Sequence, residues 1–147
     1  MDNIKQIQVV SKALNKEKDK FLFELARTLN LIEKKHSLIK KMSDYLKDYF
    51  DESNLQKSKL VPTLAKNLNS FSLQIENVIA QTEGEIVRLK RSSEVLMSKV
   101  QRIDQKINVM DVFANRIKSA KLYKAEKLEQ SSIDDISSTK HLRGFDE

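Results

Sequence analysis

A chain of 147 residues with 2 Gly, 1 Pro and no Cys, one third of it charged, has few means of making turns and none of making disulfides. Thiol catalysis and cysteine-ligated metal sites are excluded with the cysteines. The net charge of +6 would suit an acidic partner, nucleic acid or anionic lipid, but Asp and Glu are scattered among Lys and Arg, as on the wet side of long helices.

The N-terminus, Met1-Asp2-Asn3-Ile4-Lys5-Gln6, has no apolar core for a signal peptide, and no apolar run approaches the length of a membrane span. The sequence therefore reads as cytoplasmic and soluble, with no integral membrane segment. Asp2 or Asn3 can cap a first helix, since a short side-chain oxygen accepts an orphan amide proton of the first turn. The heptad positions that would form its seam are Ile4, Ile7, Ser11, Leu14, Lys18, Phe21, Leu25, Thr28, Ile32, Lys35, Ile39, Met42, Leu46 and Tyr49. Val10, Leu22, Leu29 and Leu38 widen that stripe, and the helix is expected over 3–50.

The pattern weakens at Asp51-Glu52-Ser53-Asn54, and Pro62 stands where a proline can open a new helix without losing a hydrogen bond. A turn is placed at 51–62 and a second helix at 63–128. Its seam is the most regular feature of the chain: Ile75, Ile79, Thr82, Ile86, Leu89, Ser93, Leu96, Val100, Ile103, Ile107, Met110, Ala114 and Ile117. Steps of four and three mean a helix, and a stripe this narrow means a coiled coil rather than a globular core. A short connection makes the two helices antiparallel.

The expected architecture is thus all-α, one long antiparallel coiled-coil hairpin over 1–130 with the second helix longer, followed by a polar, disordered tail at 131–147. With the turn centred near residues 56 and 57, position i faces about 113 − i, which sets Met42 opposite Phe71, Leu25 opposite Arg88 and Ile4 opposite Val109. Helix two would then project beyond helix one from Met110 to Leu128, roughly 30 Å at about 1.5 Å per residue. Gly84, off the seam, costs about 1 kcal/mol relative to Ala and is a candidate kink.

No catalytic, cofactor or metal site is expected. His36 and His141 lie in different segments and neither has a partner at ligand spacing, while two glycines cannot build a phosphate-cradling loop. A thin rod also lacks the dry concave site that acid or base catalysis needs. Lys118, Lys121, Lys124 and Lys127, preceded by Arg116, either complement the end of a helix or enter an acidic channel. Tyr45, Tyr49, Phe50 and Phe71 gather near the turn, where a two-helix seam cannot bury four rings, so that aromatic surface should remain for recognition.

These residues resemble the FliJ family, the small soluble component of the flagellar type III export apparatus, over about Lys35 to Lys127. The specific part is Met42-x-Asp44-Tyr45-x3-Tyr49, then Phe71-x3-Ile75-x2-Val78 after the proline-containing break. The family pattern has glutamine at the position of Leu38 and histidine at that of Thr82. The resemblance implies a non-enzymatic stalk, similar to that of rotary ATPases, at the cytoplasmic face of the inner membrane. Its helix ends would insert into the ring of the export ATPase FliI and promote its assembly and activity. It also implies that Met42, Tyr45, Tyr49, Phe71, Ile75 and Val78 dock the export gate FlhA, and that export chaperones are escorted. For ring insertion, the residues that the overhang offers are Phe113, Arg116, Ile117, Lys118, Lys121, Leu122 and Lys124.

Alternative readings are the equivalent stalk of a virulence injectisome and a structural coiled coil that self-associates through its overhang. Nucleic-acid binding is disfavoured, since the basic residues are interrupted and no DNA-binding motif is present.

Overall fold

The computed structural model describes residues 3–55 and 62–145, with side chains over 3–52 and 65–139. All of these residues are helical, in α1 (Asn3–Leu55) and the longer α2 (Pro62–Phe145), paired as a helical hairpin. Pro62 is the first residue of α2, where its fixed φ suits the helix and its missing N–H is not needed. Two compact units divide the chain: Lys18–Gln101, and Met1–Glu17 with Arg102–Glu147.

In the first of these units the interior is a single row of side chains. Leu25, Ile32, Leu46, Ile86 and Val100 are buried, together with Ser72 and Thr82. In the other, Ile103 is buried, and Ile4, Ile7, Leu14, Ile107, Met110, Ala114 and Ile117 are half-buried. Each seam position expected in α1 is one of the buried or half-buried residues of that helix, and no other described residue of α1 joins them. All the seam positions expected in α2 are likewise covered; Ala65, Leu68 and Ser72 prolong the row upstream, and Glu85 and Asp104 lie beside it. No described side chain is completely enclosed, because a residue in a two-helix seam has a packing neighbour on one side only.

The pairing register differs from the expected one. Lys35 bonds Glu85, the Lys99 ammonium lies 5.2 Å from the Phe21 ring centre, and the Tyr49 and Phe71 rings are 5.6 Å apart. Position i therefore faces about 120 − i, a shift of one heptad from 113 − i. Met42 does not oppose Phe71; Tyr49 does. The cause is the length of α1, which continues through Asp51-Glu52-Ser53-Asn54 to Leu55 instead of stopping at residue 50. Polar residues at that spot do not end a helix, because helix propensity is a weak signal without a glycine or proline to break the chain. Residues 56–61, the remainder of the expected turn, lie outside the described residues.

Two further boundaries move for related reasons. Ile4 now comes level with Arg116, so Met110, Ala114 and Ile117 are covered, and the unpaired part of α2 begins near Lys118 rather than at Met110. The helix also passes Leu128 and continues to Phe145, through the stretch from Ser131 that was expected to be a disordered tail. Extending an existing helix gains a hydrogen bond per residue without a new nucleus, and no Gly or Pro intervenes before Gly144. At Gly84 the helix is unbroken.

Candidate functional site

The aromatic patch is assembled from both helices of the Lys18–Gln101 unit. Tyr45 and Tyr49 are one turn apart on α1 and stack with ring centres 6.4 Å apart and planes 16° from parallel. Phe71 comes across from α2, its ring centre 6.3 Å from that of Tyr45, at 72°, and tilted against Tyr49. Such offset and edge-on arrangements suit the ring quadrupoles and contribute about 0.5–1.5 kcal/mol per pair beyond area.

The pairing rule i with 120 − i joins the other expected members to this cluster. Met42 comes level with Val78, Tyr45 with Ile75 and Tyr49 with Phe71, so the six residues form one continuous band. Tyr45 is 55% exposed, Val78 45% and Phe71 39%, while Met42, Tyr49 and Ile75 are half-buried supports beneath them. Leu46 and Ser72, buried between the helices, fix the base of the band. Phe50, also 42% exposed, is one residue beyond Tyr49. The arrangement is suited to binding an apolar protein surface.

The residues expected to enter a ring separate into two groups. Phe113 and Ile117 line an open groove with Asn3, Gln6, Ile7, Val10 and Met110, and so belong to the paired region. Lys118 lines another with Ile4, Ile7 and Asp111, at the point where pairing ends. Arg116, Lys121, Leu122 and Lys124 are exposed, as is every described residue from Lys118 to Thr139. On this unpaired length, Lys124 and Lys127 flank Tyr123 and Leu128 in a shallow apolar groove, with the Lys127 ammonium 6.0 Å from the Tyr123 ring centre. The overhang thus offers lysines interleaved with Leu122, Tyr123 and Leu128, which are 62%, 64% and 71% exposed.

One interhelical feature lay beyond the sequence reading. Lys35, a polar residue in the seam, donates from Nζ to Oε2 of Glu85 on the facing helix. Its signal was present in the sequence as a lysine at a seam position, but the partner depends on the register. His36 is exposed, and His141 lies outside the residues whose side chains are described. Among the described residues no group of acidic or histidine side chains is arranged to hold a metal ion, and no helix is long and apolar enough to cross a membrane.

No curated protein and no solved structure matches the chain. The family model described as the flagellar FliJ protein matches it over residues 4–144, almost all of both helices. With this match the chain belongs to the FliJ family, non-catalytic components of the flagellar export apparatus.

Proposed function

We propose that this protein is the stalk-like adaptor of flagellar export. Its unpaired α2 end enters the ring of the export ATPase FliI and promotes ring assembly and ATP turnover, while the aromatic band docks the export gate FlhA. In this role it works in the cytoplasm, peripherally at the inner membrane of the flagellar base, and escorts export chaperones. The observation that carries the reading is the length of α2 beyond Ile117, where every described side chain is exposed and lysines and large apolar side chains stand together. Apolar groups held in water on a single helix gain by entering a partner. Lys118, Lys121, Leu122 and Lys124 are the inserting residues, with Phe113, Arg116 and Ile117 at the base of the inserted segment.

The test is ATP hydrolysis by the purified ATPase of the same organism, titrated with the full chain and with a chain ending at Ile117. Stimulation by the first and not by the second is expected. Equal stimulation by both, or none by either, would overturn the assignment. For the gate, a Tyr45→Ala, Tyr49→Ala double variant should lose FlhA binding while its helical circular dichroism is retained; unchanged affinity would remove the band from the gate-binding surface.

A further inference from the structure

One flank of the Lys18–Gln101 unit departs from the usual surface of a coiled coil. The positions beside the seam commonly carry charges that pair between helices and cover the apolar row. Here Leu31 and Leu38 occupy that position on α1, Ser92 occupies it on α2, and Val95 lies alongside. Leu31 is 44% exposed, Leu38 46% and Val95 55%. Leu31, Thr28, Val95 and Leu96 line an open groove whose two rims carry Arg27 on α1 and Arg91 on α2. Neither arginine has an ion pair among the described residues. Lys34 and Lys41 follow Arg27 at seven-residue steps along the same rim, and Arg88 precedes Arg91 by one turn. Of the nearby carboxylates, Glu24 lines the groove one turn before Arg27, Glu94 lies one turn after Arg91, and Glu85 is already taken by Lys35.

An apolar floor between two cationic rims is the complement of a helix with an apolar stripe and acidic flanks. We infer that this groove binds an acidic amphipathic helix of a partner protein, which lies along the hairpin as a third helix with its carboxylates on Arg27 and Arg91. Its lining residues are distinct from those of the aromatic band, which begins one turn beyond Leu38 on the same helix, and the inference does not depend on the stalk reading.

The probes are two synthetic peptides about three heptads long, each with leucine at the seam positions. One has glutamate on both flanks of the stripe and the other lysine. Fluorescence anisotropy with the full chain should register binding of the glutamate peptide and not of the lysine peptide. An Arg27→Glu, Arg91→Glu variant should weaken the first by about tenfold or more and bind the second. A Leu31→Ser, Val95→Ser variant should weaken binding with the rims intact. Circular dichroism confirms that each variant is folded. The proposal is overturned if the wild-type chain ignores the glutamate peptide, or if the arginine variant binds it equally well. It is also overturned if sedimentation shows a wild-type dimer that the arginine variant abolishes, since a second copy would then occupy the groove.

Discussion

Lys35 stands where the seam would accept a leucine, and it is tolerated because the Glu85 carboxylate on the other helix accepts a hydrogen bond from its ammonium. The hydrogen bond from Lys35 and the lysine charge hold the Glu85 carboxyl below the usual carboxylate range; Arg88 assists and partial burial opposes. A carboxyl whose folded pKa is depressed stabilises the fold above its unfolded pKa, about 4.3, and loses that contribution as pH falls through the lower folded value. Thermal melts from about pH 5 to pH 3 should therefore decline more for the wild type than for Glu85→Gln, in which this group cannot titrate, and the difference should shrink in high salt. Parallel declines would mean that the pair contributes nothing to folding. Thr82 is buried in the same seam and donates from Oγ1 to the Val78 carbonyl at 2.7 Å. That bond competes weakly with the helix ladder. Thr82→Val keeps the shape, removes the buried hydroxyl and should raise stability by about 1 kcal/mol, read from chemical denaturation.

At the scale of the helix, Gly84 and the overhang make separate predictions. A Cβ built at Gly84 meets nothing within 4 Å, and the glycine has no positive φ, so neither packing nor conformation requires it. Gly84→Ala should stabilise the hairpin by about 0.5–1 kcal/mol, because alanine has less backbone freedom to lose in a helix interior. A lower melting temperature would mean that a partner or a bend needs the gap. The overhang has no seam residue after Ile117 and every described side chain on it is exposed. Removing everything after Ile117 should lower total helicity yet leave the melting temperature of the remaining hairpin nearly unchanged. Ending the chain at Met110 should lower it, since Phe113 and Ile117 line the groove with Ile7 and Val10. Equal losses from the two truncations would indicate that the overhang packs on the hairpin in solution.

Across the molecule, the sequence was most legible where one residue's environment depends on its own helix. The seam of α1, from Ile4 to Tyr49, and that of α2, from Ile75 to Ile117, follow from periodicity alone. Tyr45, Tyr49 and Phe71 could be placed near one end for the same reason. What periodicity does not carry is the offset between helices. A row of apolar residues that repeats every seven positions looks the same after sliding by seven, so pairing at 113 − i and at 120 − i buries the same side chains. Only features that break the repeat separate them: Lys35 with Glu85, the three rings, and the end of α1 at Leu55. The start of the overhang inherits this ambiguity, which is why periodicity alone puts Phe113 and Ile117 on it.

This degeneracy can be tested directly, because the chain contains no cysteine and introduced pairs will have no competitors. In the register set by Lys35 and Glu85, seam position 28 shares a layer with 93; one heptad away it would share a layer with 86. A disulfide needs Cα atoms within about 7 Å, less than the roughly 10 Å that a heptad slip displaces one helix along the other at 1.5 Å per residue. Thr28→Cys with Ser93→Cys should therefore oxidise to an intramolecular disulfide, visible as faster migration on a non-reducing gel, while Thr28→Cys with Ile86→Cys should not. Crosslinking of the second pair alone would place the helices one heptad apart from the arrangement described. Phe71 would then face Met42 instead of Tyr49, separating the rings that make the aromatic band. Crosslinking of both pairs would mean that the helices slide, and that the Lys35–Glu85 bond does not hold the register.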